Sequence, residues 1–272
     1  MCGKIMADEN LIQKIEDLEK DMFYLKHQNN NLTESIDYIK KLLVKNMDKT
    51  NFCPFCGEIS SFDSFGIVPR EKVKCPNCGS LERHRLVYLI FKRKFSYLFE
   101  KNIKLLHFAP EYIFYKLFEK QKNIDYYPVD FCPENFNYVN IRYKVDIQDI
   151  NFDDCTFDLI YVSHVLEHIP DDIKAMKELY RVLKVGGSCI VMVPLFNMHK
   201  TFENDEYDTP ELRLKYFGQE DHLRKYGQDI EDRLISVGFD VQKITAEDII
   251  SNDELENDVY RLCGEVAFIC RK

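Results

Sequence analysis

The chain has 272 residues, 45% hydrophobic and 31% charged, with ten cysteines and a net charge of −9. That is the composition of a folded protein with ample length for a buried core, and its acidic balance disfavours a general nucleic-acid binder. No apolar run approaches a membrane span, and Met1-Cys2-Gly3-Lys4 leads into acidic and amide residues rather than a signal-peptide core. The expectation is a cytoplasmic protein with no membrane partner, whose cysteines are reduced or hold a metal rather than forming disulfides.

The first predicted element is a helix over about 7–45. Leu11, Leu18, Leu25, Leu32 and Ile39 alternate at a 3–4 spacing with Ile15, Met22, Asn29, Ile36 and Leu43. One register held for more than four heptads is a coiled-coil pattern, with the leucine series at d and Asn29 a lone polar residue at a. Such an Asn favours an in-register two-stranded pair, because the two amides satisfy each other across the seam. Lys14 with Glu19 and Asp21 with Lys26 would attract as g-to-e pairs. The expected partner is a second copy, through residues 7–45. Packing of the helix on its own globular body is the competing reading.

Next come Cys53-Pro54-Phe55-Cys56-Gly57 and Cys75-Pro76-Asn77-Cys78-Gly79, spaced C-x2-C-x18-C-x2-C. Each knuckle sets two thiolates on one side of a turn, and together Cys53, Cys56, Cys75 and Cys78 make a closed tetrahedral site. Four thiolates leave no open position, so the expected metal is structural Zn2+, with iron the alternative. From Arg70 to Lys104 the chain carries ten Lys/Arg against three Glu, a local balance of +7. That stretch could meet an anionic acceptor or RNA, or it could be a solvated face. Ser80 is a plausible N-cap for a helix whose buried face would include Val87, Ile90 and Phe91. Arg83, His84 and Arg85 crowd one turn, either to clamp an anionic substrate or to bond the ribbon to the following domain.

From about residue 102 the pattern becomes α/β. Ile103 to Phe108 predicts a first strand, Pro110 the start of a helix, Asp125 to Val129 a second strand ending at Asp130, and Tyr143 to Val145 a third ending at Asp146. Phe157 to Val162 is a short apolar strand, and Pro170-Asp171-Asp172 opens an amphipathic helix through Ile173, Met176, Leu179, Tyr180 and Leu183. Gly186-Gly187 is expected to stop that helix before a strand from Ser188 to Val193. A strand–helix–strand unit of this kind belongs to a doubly wound sheet, with the turn from Ser163 to His168 at a carboxyl end, where such sheets bind ligands. An insertion of about thirty residues from Leu195 precedes a helix from Ile230 to Val237, a strand from Asp240 to Ile244 and a closing antiparallel strand from Glu265 to Cys270.

The run FDLIYVSHVLEHIPDDIKAMKELYRVLKVGGSCIVMVP, from Phe157 to Pro194, closely resembles the class I S-adenosylmethionine-dependent methyltransferases, with Val185 where the group usually carries proline. The resemblance spans about 103–245 and implies a Rossmann-like methyltransferase sheet. It implies that Asp130 takes the ribose hydroxyls of S-adenosylmethionine. It further implies that Asp146 accepts from the adenine amino group, with the Ile147 amide facing the ring, and that Ser163 lies beside the cofactor. The first loop, His107-Phe108-Ala109-Pro110-Glu111, should approach the methionine moiety, with Glu111 pairing its ammonium. This loop lacks the group's Gly-x-Gly turn. His164 and His168, with Glu167, fall beside the expected methyl position. The turn lacks the Asn/Asp-Pro-Pro-aromatic motif, which disfavours N-methylation of a planar base.

Phe217-Gly218-Gln219 through Asp221-His222, Arg224 and Tyr226-Gly227 is similar to a signature of zinc-ribbon members of that group. It suggests His222 as general base, backed by Asp221 or Glu220, with Arg224 ready for the acceptor. The expected organisation is a coiled-coil helix over 1–50, a zinc ribbon and linking helix over 51–101, and a methyltransferase domain over 102–272. The expected activity is O-methylation of a small polar acceptor, such as a sugar or nucleotide-linked sugar of surface polysaccharide synthesis. RNA methylation through the ribbon and a non-catalytic scaffold are the alternatives.

Overall fold

A computed structural model describes residues 21–22, 25–41, 43, 51–66 and 69–272. Helix α1 covers 25–41. Leu11, Ile15, Leu18, Lys14 and Glu19 of the expected coil lie outside the described residues. Within them the heptad seam faces outward, with Met22, Leu25, Leu32, Ile36, Ile39 and Leu43 between 49% and 70% exposed. Polar positions lean on the globular body: Lys41 pairs with Glu254 at 2.7 Å, and Lys40 Nζ donates to the Gly57 carbonyl. Among the described residues no helix is long and apolar enough to cross a membrane.

The cysteine segment is two antiparallel hairpins, β1 (Asn51–Cys53) with β2 (Glu58–Ser60) and β3 (Asp63–Phe65) with β4 (Arg70–Lys74). Gly57 and Gly79 both take positive φ, and each donates its N–H to the carbonyl of the first cysteine of its knuckle at 2.8 Å, which closes the turn.

Helix α2 (Glu82–Lys94) follows. Its N-cap is Leu81 rather than Ser80, and the His84 Nδ1 accepts from the Leu81 N–H at 3.0 Å. Ser80 serves the thiols instead, its hydroxyl 3.2 Å from Cys53 Sγ and 3.3 Å from Cys78 Sγ. Arg85, fully buried, donates to four carbonyls: Val73 and Ser80 of the ribbon, and Tyr260 and Arg261 of the C-terminal segment. Its guanidinium also lies 4.5 Å from the Phe62 ring centroid. The basic turn therefore bonds the ribbon to its neighbour.

The central sheet has seven strands in the order β7–β6–β5–β8–β9–β13–β12. They are β5 (Ile103–Phe108), β6 (Ile124–Asp130), β7 (Tyr143–Lys144), β8 (Phe157–Ser163), β9 (Leu183–Met192), β12 (Asp240–Ile244) and β13 (Ala267–Arg271). Pairing is parallel from β7 to β9, and β13 runs antiparallel to both of its neighbours. The chain leaves β5 in one direction and returns beyond it at β8, so the switch point of the sheet lies between them.

Successive strand residues divide between two cores, as a period of two requires. Leu105, Leu159, Tyr161, Ile190 and Ile269 face α2 and α3 (Tyr112–Phe118). Leu106, Ile160, Val162, Cys189 and Val191 face α4 (Asp172–Val182) and α6 (Ile230–Ser236). Leu86, Val87, Ile90 and Phe91 of α2 belong to the first core, as does Phe52 of the ribbon. The packing is therefore continuous across residue 101, where a domain boundary was expected.

Helix α4 is capped by Asp171, whose side chain accepts from the Lys174 N–H at 2.8 Å. It ends at Val182, four residues before the glycines expected to stop it. Gly186 and Gly187 sit inside β9, where the register slips from Phe157↔Leu183 to Leu159↔Ser188. A Cβ on Gly187 would meet Lys184 O at 2.9 Å, so the irregular strand, not the helix end, demands this glycine.

Replacing Arg85 with Met strands four buried carbonyls. The expected loss is about 3 kcal/mol or more, read as a lower urea midpoint of the zinc-loaded protein.

Candidate active site

A cleft of about 630 Å³ opens at the carboxyl ends of β5 to β8. Asp130, Asp146, His164 and His168 line it, together with Phe108, Ala109 and Ile147. Asp130 Oδ1 accepts from the Cys132 N–H at 2.7 Å and Asp146 Oδ1 from the Gln148 N–H at 2.8 Å, so each carboxylate is fixed by its own turn. Burial, with Glu134 nearby, raises the Asp130 carboxyl above its ordinary value. Phe131, Phe136 and Tyr138 also line the cleft. These three were not singled out from the sequence, although aromatic side chains beside a strand-end acid suit a flat ligand. A larger cleft of about 760 Å³ lies at the opposite end of the sheet, among paired charges such as Lys184 with Asp158 at 2.8 Å.

Three of the five expected first-loop residues, His107, Pro110 and Glu111, lie outside the cleft lining. His107 is fully buried, with Nδ1 2.8 Å from the Tyr126 hydroxyl, and Pro110 and Ser163 are buried outside the cleft lining. Burial holds the His107 imidazole at about 3, so it stays neutral. Glu111, expected to meet an ammonium, is already paired. Its carboxylate accepts from Arg83 Nε at 3.0 Å and the Tyr161 hydroxyl at 3.1 Å, and sits 2.8 Å from His84 Nε2. Because His84 Nδ1 accepts from a backbone N–H, Nε2 carries the proton and donates to Glu111. Burial acts to raise the Glu111 carboxyl, but His84 and Arg83 outweigh it and hold the group well below the carboxylate range. Ala109 takes φ of 45°, so the turn that usually recruits glycine is made here with an alanine in the left-handed region.

The insertion after β9 closes over the Ser163–His168 turn. It contains α5 (Pro210–Phe217) and a two-stranded pair, β10 (Phe202–Glu203) with β11 (Arg224–Lys225). Arg224 is buried and faces away from the cleft, donating to the Leu166, Ile169 and Pro170 carbonyls and to Glu203 at 2.9 Å. It is a clamp on the turn, which corrects its expected role with the acceptor. The Tyr226 hydroxyl and Arg233 both donate to Asp172, at 2.7 and 2.9 Å. At Gly227 a Cβ would sit 2.6 Å from the Lys200 carbonyl carbon, so only glycine lets the two arms of the insertion meet.

This closure brings His222 beside His168, their ring centroids 4.7 Å apart, while His168 Nδ1 lies 3.2 Å from Asp221. Asp221 therefore backs His168 and not His222. Burial, then His168, lowers the His222 imidazole. His164 Nδ1 lies 3.2 Å from Glu167 Oε1. The four arginines of the basic stretch are spent internally: Arg70 with Glu82 at 2.8 Å, Arg83 with Glu111, Arg93 with Glu254 at 3.3 Å, and Arg85 buried. In the ribbon the four sulfurs all lie within 4.8 Å of one another, with Cys53–Cys78 and Cys56–Cys75 at 3.6 and 3.8 Å. A tetrahedron with bonds of about 2.3 Å has edges of about 3.8 Å, so the donor set suits a zinc ion.

Strand order and cleft are those expected of a Rossmann-like methyltransferase sheet. Residues 113–191 match the family described as a methyltransferase domain. The sterol 24-C-methyltransferase of Eremothecium gossypii is 33% identical over 132 residues, which cover 46% of this chain and 33% of that protein. The ubiquinone/menaquinone biosynthesis C-methyltransferase UbiE of Idiomarina loihiensis is 39% identical over 54 residues, covering 20% of this chain and 22% of that protein. The chain thus spans about one third of the sterol relatives' length in its match to them. An overlay with a SAM-dependent methyltransferase from Archaeoglobus fulgidus has a TM-score of 0.44 at 18% identity, covering 69% of this chain and 93% of that one.

His107 gives the fold a pH signature. Its folded-state value lies below its unfolded one, so its neutrality is free above about pH 6.5 and opposes folding as pH falls toward about 3. His107→Gln should flatten the acid-side decline of the urea midpoint in that window while leaving pH 8 little changed.

Proposed function

We propose that the chain transfers a methyl group from S-adenosylmethionine to an oxygen of a small polar acceptor, a sugar or nucleotide-linked sugar being the class favoured. The observation that carries the reading is two acids, Asp130 and Asp146, at the ends of neighbouring strands in one cleft that also holds His164 and His168. A carboxylate accepts from both hydroxyls of a ribose, which suits Asp130, and Asp146 with the Ile147 amide suits an adenine edge. In the transfer the methyl carbon leaves the sulfonium, the bonding pair stays on sulfur, and the acceptor oxygen forms the new bond. His164, whose Nδ1 lies 3.2 Å from Glu167 Oε1, is the side chain we assign to take the acceptor proton. The ribbon is assigned one structural zinc on Cys53, Cys56, Cys75 and Cys78, and no step of the transfer passes through it.

Self-association belongs to the same reading. The exposed seam of α1, narrow and set apart from the polar face that touches the body, matches a two-stranded parallel coil.

Two variants test these assignments. Asp130→Ala removes hydrogen bonds to a charged group and should weaken S-adenosylmethionine binding about 10- to 100-fold by calorimetry, with release of S-adenosylhomocysteine in the presence of sugar nucleotides falling in step. Unchanged affinity would favour a scaffold with a vestigial cleft. Leu32→Asp should shift the protein from dimer to monomer by sedimentation without altering cofactor affinity. A dimer that survives it would place the contact elsewhere.

A further inference from the structure

Glu167 is a costly group in this fold. Its side chain is 1% exposed and neither carboxylate oxygen has a hydrogen bond. A buried carboxylate left so is expensive unless something of opposite charge completes it. His164 approaches Oε1 at 3.2 Å but not at hydrogen-bonding angles, and its own Nε2 is likewise without a partner.

The surroundings of Glu167 are those of a ligand set. His168 and His222 converge on it so that one ligand atom from each of the three lies within 4.8 Å of the others. An ion with bonds of about 2.1 Å needs its ligands about 3–4 Å apart, which small side-chain adjustments reach. Asp221 at 3.2 Å from His168 Nδ1 leaves Nε2 as the nitrogen available to an ion, and supplies the carboxylate behind a ligating histidine that such centres use. The turn and the insertion that bring these residues together are locked by Leu223 N–H to Glu167 O at 2.8 Å and by the Arg224 clamp.

We infer that Glu167, His168 and His222 form a second metal site, separate from the ribbon, which takes a first-row divalent cation at the acceptor side of the cleft. Two imidazoles and one carboxylate suit Mn2+, Fe2+, Co2+ or Zn2+ rather than Ca2+ or Mg2+, and three protein ligands leave positions open. Because His168 lines the methyl-transfer cleft, an open position lies where an acceptor oxygen would dock. The inference deepens the methyl-transfer reading and rests on it for the ion's purpose. Bound oxygen loses its proton more readily, to His164, and the freed pair attacks the methyl carbon as the carbon–sulfur bond breaks. The acceptor class is then a hydroxyl able to ligate a metal, and better still a vicinal pair.

The test uses full-length protein with its ribbon already zinc-loaded, titrated with CoCl2 without S-adenosylmethionine or acceptor, so that its failure is separate from failure of cofactor binding. One equivalent of cobalt should bind with weak visible bands and without the intense near-ultraviolet thiolate bands that displacement of ribbon zinc would give. Glu167→Gln and His222→Asn should each lower the affinity at least about 10-fold, and Asp221→Asn, at an exposed position, about 10- to 100-fold. Glu167→Gln should also raise the ion-free melting temperature, since it removes a buried unpaired charge. No cobalt uptake by the zinc-loaded protein, or uptake that Glu167→Gln and His222→Asn leave unchanged (an adventitious ion only), would overturn the inference. So would a lower ion-free melting temperature in Glu167→Gln, which would mean His164 already neutralises the carboxylate.

Discussion

A carboxylate buried at the switch point of the sheet cannot stand alone, and the pairing of Glu111 sets the arrangement of everything around it. Arg83 and His84 reach it from the helix after the ribbon, and Tyr161 reaches it from β8. Three segments far apart in sequence are thereby held at one point, outside the cleft lining. The turn above, with Ala109 at positive φ, is left with no acid of its own facing the cleft. Recognition of a cofactor falls to the strand-end acids Asp130 and Asp146 and to the aromatic wall beside them.

The same logic governs the ribbon. A small ribbon with few apolar residues has little core, here Cys53, Phe62 and Cys75, and depends on what it is fastened to. Arg85 fastens it by four carbonyls, two on the ribbon and two on the C-terminal segment, while Phe52 enters the core on one face of the sheet. Ribbon, α2 and sheet are a continuous packing unit, whereas α1 presents its apolar seam outward.

Much of this was legible in the sequence where a single periodicity or spacing decided the outcome. Strands Ile103–Phe108 and Asp240–Ile244 have the expected bounds, and Asp171 caps α4 as its position ahead of the apolar period predicts. The thiol pairs of the ribbon meet as their spacing requires. What could not be read was which partner a charged side chain would choose. Arg224 and Glu111 were expected at ligands and are consumed, the first by backbone carbonyls and the second by Arg83, His84 and Tyr161. Asp221 serves His168 rather than the adjacent His222. Those choices depend on contacts between residues about 30 to 60 positions apart, which no local pattern encodes. The glycine pair failed for a related reason: a helix stop and a strand irregularity recruit the same residue, and pairing with β8 decided between them.

The central claim is that this cleft, without a glycine turn and with Glu111 turned away, still binds S-adenosylmethionine. Calorimetric titration of the zinc-loaded protein tests it most directly. The account predicts saturable binding of one S-adenosylmethionine per chain. Absence of heat at millimolar cofactor would contradict it and leave the sheet as a scaffold.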